Sequence, residues 1–200
     1  MFRACYFDIS GNVTLPEQML PTSLLAHIAK YSSPLSLQRS RAAWTLLYWL
    51  KPVCPVFSAS GQPTLPGQEL FVSVSHSKNI VAAAVSDAPV GIDVECITNR
   101  NIINLAEKCL SNDEYLRFCA AEDKRLCFYQ HWTAKEAYAK LTGDGLRGFP
   151  THIQWHDDGT VGTLRQNVSH QILADSGAMT YCLCVAGKFA APVQAFQDLQ

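Results

Sequence analysis

Three short stretches of this 200-residue chain carry side chains at spacings that can do chemistry. Asp93 and Glu95 stand two apart in Val90-Gly-Ile-Asp-Val-Glu-Cys96. In a strand that spacing puts both carboxylates on one face, where they repel unless a cation neutralises them. Hard oxygen donors suit Mg2+. Alone, Asp-x-Glu reads better as two exposed acids on the strand's solvent face. Ser75-His76-Ser77 offers hydroxyls, an imidazole and turn N–H groups together, which suits an anionic oxygen. Alone it is a polar turn, and no Gly-x-Ser-x-Gly elbow frames it as a hydrolase nucleophile. In His131 to Lys140, Trp132, Glu136 and Lys140 recur every four residues and share one helix face, while Lys135 lies about 100° round. Glu136 can supply a third carboxylate and Lys140 a cation for a phosphate oxygen. Alone this is an ordinary Glu–Lys pair. Taken together, three carboxylates, a Ser-His turn and a lysine make an Mg2+–pyrophosphate site.

The elements that must position these groups follow from periodicity. Strands are expected at 1–9, 70–75, 80–85 and 90–96, the last three as an antiparallel meander with tight turns. Apolar residues at three- and four-residue spacing predict a helix over 36–50, stopped by Pro52, and residues 52–67 are loop. Shorter helices are expected at 21–29, 101–108 and 112–119, the last capped by Ser111 with Glu114 three residues on. A longer one runs from about Glu122 to Leu141 and ends at Thr142-Gly-Asp-Gly145. The chain then returns to strand at 153–156, 160–165, 169–173 and 179–186. Each half thus carries a long helix and an antiparallel sheet, with no sequence repeat and no linker between them. That predicts an α+β fold of two packed lobes, residues 1–98 and 99–200, forming one unit.

Composition narrows the class. Hydrophobic residues make up 48% and charged residues 16%, which excludes disorder and coiled coil. Lys plus Arg (16) nearly cancel Asp plus Glu (17), so no global basic field exists to hold a nucleic acid. The eight cysteines include no Cys-x-x-Cys pair, so reduced buried thiols are expected rather than a disulfide or zinc framework. Neither a signal peptide nor a membrane span is apparent, and a soluble, cytoplasmic protein is expected.

With these residues in hand, the sequence resembles the 4′-phosphopantetheinyl transferases of the long type, the group of the surfactin-synthetase activator and the enterobactin-type enzymes. Ser75-His76-Ser77, Gly91-Ile92-Asp93-Val94-Glu95 and Trp132-Thr133-x-Lys135-Glu136-Ala137-x-x-Lys140 carry the resemblance, which spans about 39–146. It implies a pseudo-twofold fold of two similar lobes, with coenzyme A bound between them. By resemblance Asp93, Glu95 and Glu136 hold Mg2+. Ser75 and His76 contact the phosphates of coenzyme A, His76 at the 3′-phosphate, with Arg41 reaching the same group and Arg39 assisting. Lys140 binds a phosphate oxygen and supports the leaving adenosine 3′,5′-bisphosphate, and Lys135 is the motif's other lysine. Leu110-Ser-Asn-Asp-Glu114 resembles the family's Phe-Ser-x-x-Glu segment, making Glu114 a candidate general base.

The implied enzyme is a holo-[acyl-carrier-protein] synthase, moving phosphopantetheine from coenzyme A to a serine of an apo acyl-, polyketide- or peptidyl-carrier protein. No nucleic acid or membrane partner is implied, and a monomer is expected. A basic patch of Arg117, Lys124 and Arg125 is a candidate face for an acidic carrier. Gln62 stands where the family commonly has lysine, Ser73 where it often has Asn, Leu110 for Phe, and Cys96 for a polar residue. The competing class is a catalytically weak relative that binds coenzyme A or carrier protein without turnover; Gln62 favours it, and the retained acids and Lys140 oppose it. A Mg2+-dependent nucleotide hydrolase explains the acids but neither the Ser-His turn nor the Trp132 helix. The histidines outside the motif, including the second Ser-His pair at 169–170, are expected to be structural or surface groups.

Overall fold

A computed structural model of the chain describes residues 1–10, 20–30, 32–52, 54–58, 61–65, 67, 69–145 and 153–196. In chain order its elements are β1 (Phe2–Asp8), α1 (Thr22–Ile28), α2 (Pro34–Leu50), β2 (Val56–Phe57), β3 (Pro63–Thr64), β4 (Phe71–Ser77), β5 (Ile80–Ser86) and β6 (Val90–Cys96). There follow α3 (Ile103–Cys109), α4 (Asn112–Ala120), α5 (Lys124–Thr142), β7 (Thr160–Val161), β8 (Gln166–Ala174), β9 (Thr180–Gly187) and β10 (Gln194–Ala195). The fold is α+β, as expected. One sheet runs β10-β1-β5-β4-β3-β2 and the other β6-β9-β8-β7.

The two halves share one topology. In the first, β1 is followed by helix α2 and the hairpin β4–β5, and β5 lies between β1 and β4, antiparallel to both. In the second, β6 is followed by helix α5 and the hairpin β8–β9, and β9 lies between β6 and β8 in the same sense.

Strand alternation builds the layers. Val81, Ala83 and Val85 of β5 pack with Trp44, Leu46, Leu47 and Leu50 of α2. The opposite face of β5, Ile80, Ala82 and Ala84, packs on Val90, Ile92 and Val94 of β6 and on Leu183 and Val185 of β9. Beyond that second sheet, Cys184 and Ala186 meet Ala134, Ala137 and Tyr138 of α5. The order is therefore helix, sheet, sheet, helix, with a core between each pair of layers. β5 is apolar from Ile80 to Val85 because it is covered on both faces.

Several expectations change. The three strands 71–77, 80–86 and 90–96 are not a meander: both edges of β5 are taken, by β1 and β4, so β6 has no place beside it and pairs with β9. For the same reason the sheets do not divide where the sequence reading divides the chain. The crossing falls in the turn before Val90 rather than after residue 98, and β10 returns to the first sheet beside β1. The strand expected over 160–165 is confined to Thr160–Val161, and Arg165 takes a positive φ of 47° in the turn that follows.

Helix signals hold more closely. Ser111 caps α4 in a full capping box with Glu114. Asp123 caps α5 by accepting from the Leu126 N–H at 2.9 Å. α5 closes at Gly143, whose φ of 75° is the left-handed geometry of a C-cap glycine. α2 starts earlier than expected, with Ser33 as N-cap and Pro34 in the first turn. Among the described residues no helix is long and apolar enough to cross a membrane.

One close approach sets where α5 lies. A Cβ added at Gly91 would sit 1.8 Å from the Ala137 carbonyl oxygen, so α5 rests directly on the β6 backbone. Gly91→Ala must push the helix away; it is expected to cost about 2–3 kcal/mol, at the upper end of overpacking, read as a lower urea midpoint.

Candidate functional site

Four elements meet around one cleft of about 250 Å³. Helix α2 contributes Ser40, Ala43 and Trp44, and β4 contributes Val74, Ser75 and His76. Strand β6 adds Asp93, Val94 and Glu95, and α5 adds Glu136 and Lys140. A neighbouring hollow of about 300 Å³ shares Trp44, Val74, Glu136 and Lys140 and adds His27, Gln62 and Pro63. The expected face of α5 is the one presented: Trp132, Glu136 and Lys140 are each part-exposed, whereas Lys135 is fully buried.

Hydrogen bonds organise the cleft floor. Lys140 Nζ donates to Asp93 Oδ1 at 2.8 Å, Ser75 Oγ at 2.9 Å and the Ile92 carbonyl at 3.1 Å, which uses its three protons. Ser75 Oγ in turn donates to Asp93 Oδ1 at 2.9 Å, and Ser77 Oγ to Glu95 Oε2 at 3.0 Å. Burial, with Asp93 and Glu95 nearby, pushes the Glu136 carboxyl up to about 7, although Lys140 pulls it down. Glu95 is also raised, by burial and by Asp93, against the Ser77 hydroxyl, Arg100 and the Trp132 indole. His76 is lowered by burial, then by the charges of Lys140 and Arg39.

Could these groups hold a cation? Among the described residues no three His, Cys, Asp or Glu side chains are drawn closely enough together to hold a metal as they stand. The donor set nevertheless fits a hard divalent ion: three carboxylates face one cleft, two of them raised by their neighbours' charge. Asp93 Oδ2 is buried with no hydrogen-bond partner, a costly state that a cation would relieve.

Three expected residues, Glu114, Lys135 and Arg41, do not line the cleft, and their placement is corrected. Glu114 is fully buried: its Oε2 accepts from Ser111 N–H at 2.8 Å and pairs with Lys135 Nζ at 2.6 Å, and its Oε1 accepts from Trp155 N–H at 2.7 Å. Lys135 also donates to the Cys109 carbonyl at 3.0 Å. Burial pushes the Lys135 ammonium down, and Glu114 holds it up. Neither residue lines the cleft, so Glu114 is not placed to take a substrate proton, nor Lys135 to touch a phosphate. Their pair instead ties α4, α5 and the 155 segment together.

Arg41 is exposed on α2 and does not line the cleft; Arg39 sits nearer, close enough to depress His76, with its Nε on the Lys78 carbonyl at 2.6 Å. Arg117 is already engaged, paired with Asp157 and donating to the Trp155 carbonyl at 2.5 Å. Lys124 donates to the Ala121 carbonyl beside its own helix start at 3.2 Å. The second Ser-His pair is structural, as expected. His170 takes the same orientation on β8 that His76 takes on β4, toward its own lobe's long helix, but it lies against Trp155, its Nε2 beside the Gln130 carbonyl, and burial pushes it down to about 4. His152 falls outside the described residues.

Sequence reasoning missed Arg100 and Trp132 as partners of Glu95. It also missed the role of Gln62, whose Nε2 points to the Lys140 carbonyl at 3.4 Å and whose amide lies against Gly143. Only Gly143 itself, as a C-cap, left a local signal of that last contact.

Residues 89–186, from just before β6 into β9, match the family described as the 4′-phosphopantetheinyl transferase superfamily. The match covers just under half of the chain. The 4′-phosphopantetheinyl transferase psf-1 of Bacillus pumilus is 43% identical over 76 residues, covering 37% of this chain and 32% of that protein. The 4′-phosphopantetheinyl transferase HetI of Nostoc is 35% identical over 98 residues, covering 45% and 41%. The putative 4′-phosphopantetheinyl transferase slr0495 of Synechocystis is 30% identical over 148 residues, covering 66% and 60%. The chain therefore spans a third to three fifths of the length of these relatives. The matched stretch contains Asp93, Glu95, Glu136 and Lys140 of the cleft; Ser75, His76 and Gln62 lie outside it.

Two tests follow from these charges. Lys135→Met leaves Glu114 buried without its cation and should cost about 3–5 kcal/mol, while Lys135→Met with Glu114→Leu should recover part of that loss in urea unfolding. Glu136 binds its proton more tightly folded than unfolded, so its contribution to stability is present below its ordinary carboxylate range and lost as pH rises to about 7. Glu136→Gln should therefore stabilise the fold at pH 8 by about 1 kcal/mol once partial exposure is discounted, read as a higher melting temperature, and should not do so at pH 4.

Proposed function

We propose that this protein transfers the 4′-phosphopantetheine moiety of coenzyme A to a serine hydroxyl of an apo carrier protein, releasing adenosine 3′,5′-bisphosphate. The observation that carries the reading is the meeting of Asp93, Glu95, Glu136, Lys140, Ser75 and His76 from four elements in one cleft. The similarity to 4′-phosphopantetheinyl transferases supports it.

Asp93, Glu95 and Glu136 would hold Mg2+, which when bound supplies positive charge to the pyrophosphate. The chain's own groups divide the remaining work. Lys140 has three acceptors now, and a phosphate oxygen can replace one of them, so that its charge offsets that of the leaving group. His76, half-buried beside Arg39, faces the same anion. The attacking hydroxyl belongs to the carrier, so no nucleophile is required of the chain. A carboxylate of the cleft would take that hydroxyl's proton. The neighbouring hollow, walled by His27, Trp44 and Pro63, offers aromatic and apolar surface beside the phosphate cleft for the nucleoside end of coenzyme A.

Incubation with coenzyme A, Mg2+ and an apo carrier protein should add one phosphopantetheine to the carrier by mass spectrometry. No gain across acyl-, polyketide- and peptidyl-carriers defeats the reading. Asp93→Ala and Lys140→Ala should each lower turnover about 100-fold or more, with Lys140→Ala leaving carrier affinity unchanged in a binding titration.

A further inference from the structure

β6 is the edge strand of its sheet, and its alternate N–H groups point away from β9 with no strand to receive them. Three serines on one face of β4 receive them instead. Ile92 N–H donates to Ser73 Oγ at 3.1 Å, Val94 N–H to Ser75 Oγ at 3.3 Å, and Cys96 N–H to Ser77 Oγ at 3.0 Å. A hydroxyl that accepts from a fixed N–H has its own proton left to give. Ser75 gives it to Asp93 Oδ1 and Ser77 gives it to Glu95 Oε2. Ser73 accepts from the backbone in the same way, but among the described residues its hydroxyl makes no hydrogen bond to a carboxylate.

We propose that Ser77 is a positioning residue for Glu95: the Cys96 N–H sets the direction of its hydroxyl, and the hydroxyl clamps one carboxylate oxygen so that the other faces the cleft. Ser77 touches no reacting atom. The ladder thereby transmits the register of β4 in the first lobe to the acids of β6 in the second. The inference rests on the reading of Asp93, Glu95 and Glu136 as divalent-ion ligands.

The test uses Mn2+ as the probe, with free Mn2+ measured by electron paramagnetic resonance in the presence of coenzyme A, on the full chain and on three variants. Ser77→Ala should weaken Mn2+ binding about tenfold, as removal of a ligand's orienting partner does, and Ser77→Thr should restore it because the hydroxyl is kept. Ser73→Ala removes the same kind of backbone acceptor and should leave Mn2+ affinity unchanged, while its urea midpoint falls as far as that of Ser77→Ala. Equal Mn2+ affinity in Ser77→Ala and the parent overturns the inference, as does an equal loss in Ser73→Ala, which would mean that only strand placement matters. Absence of Mn2+ binding by the parent chain overturns it differently, by removing the metal reading beneath it. Should Ser77→Ala fail to fold, Ser77→Thr and Ser77→Cys decide: retention with Thr and loss with Cys supports the clamp, and equal affinity in both overturns it.

Discussion

An edge strand must give its outward N–H groups a partner or leave them to water, and here that requirement joins the two lobes. The hydroxyls of β4 satisfy the β6 edge, and the same hydroxyls reach the acids that β6 carries into the cleft. Backbone satisfaction and side-chain orientation are therefore one interaction. Were β6 to continue the first sheet, as a simple meander would, its N–H groups would be spent on β5, and Asp93 and Glu95 would not meet α5 across Gly91.

The electrostatics of the cleft depend on that arrangement. Bringing Asp93, Glu95 and Glu136 to one side of β6 raises the proton affinity of the last two, and one ammonium, from Lys140, partly offsets them. The result is a site short of positive charge in a protein whose overall charge is close to neutral. Such a site selects ligands that arrive with a cation of their own, which is how pyrophosphate groups travel with divalent ions.

Much of this was readable from local patterns, because local rules produced it. The β4 and β6 alternations, the Ser111–Glu114 capping box and the every-fourth-residue face of Trp132, Glu136 and Lys140 all survive in the structure. What failed was long-range. Nothing near Val90 tells that β5 already has two neighbours, so the sheet to which β6 belongs was not visible. Glu114 and Lys135 are 21 positions apart and each sits in a site-like motif; only the packing of α4 on α5 shows that they answer each other. Lys135 already stood about 100° from the cleft face on a helical wheel, the one sequence hint of that outcome. Arg39 and Arg41 differ by less than one helical turn, and only the placement of α2 beside the β4–β5 turn decides which approaches His76.

The matching order β1-β5-β4 and β6-β9-β8 gives the chain two strands in equivalent places, and each carries a Ser-His dipeptide with its imidazole turned toward its own long helix. Beside His76 the space is open; beside His170 it is filled by Trp155. One half of a doubled architecture therefore has an open hollow where the other is filled with core. The two Ser-His pairs answer to different constraints: solvent and charge at 75–76, packing density at 169–170.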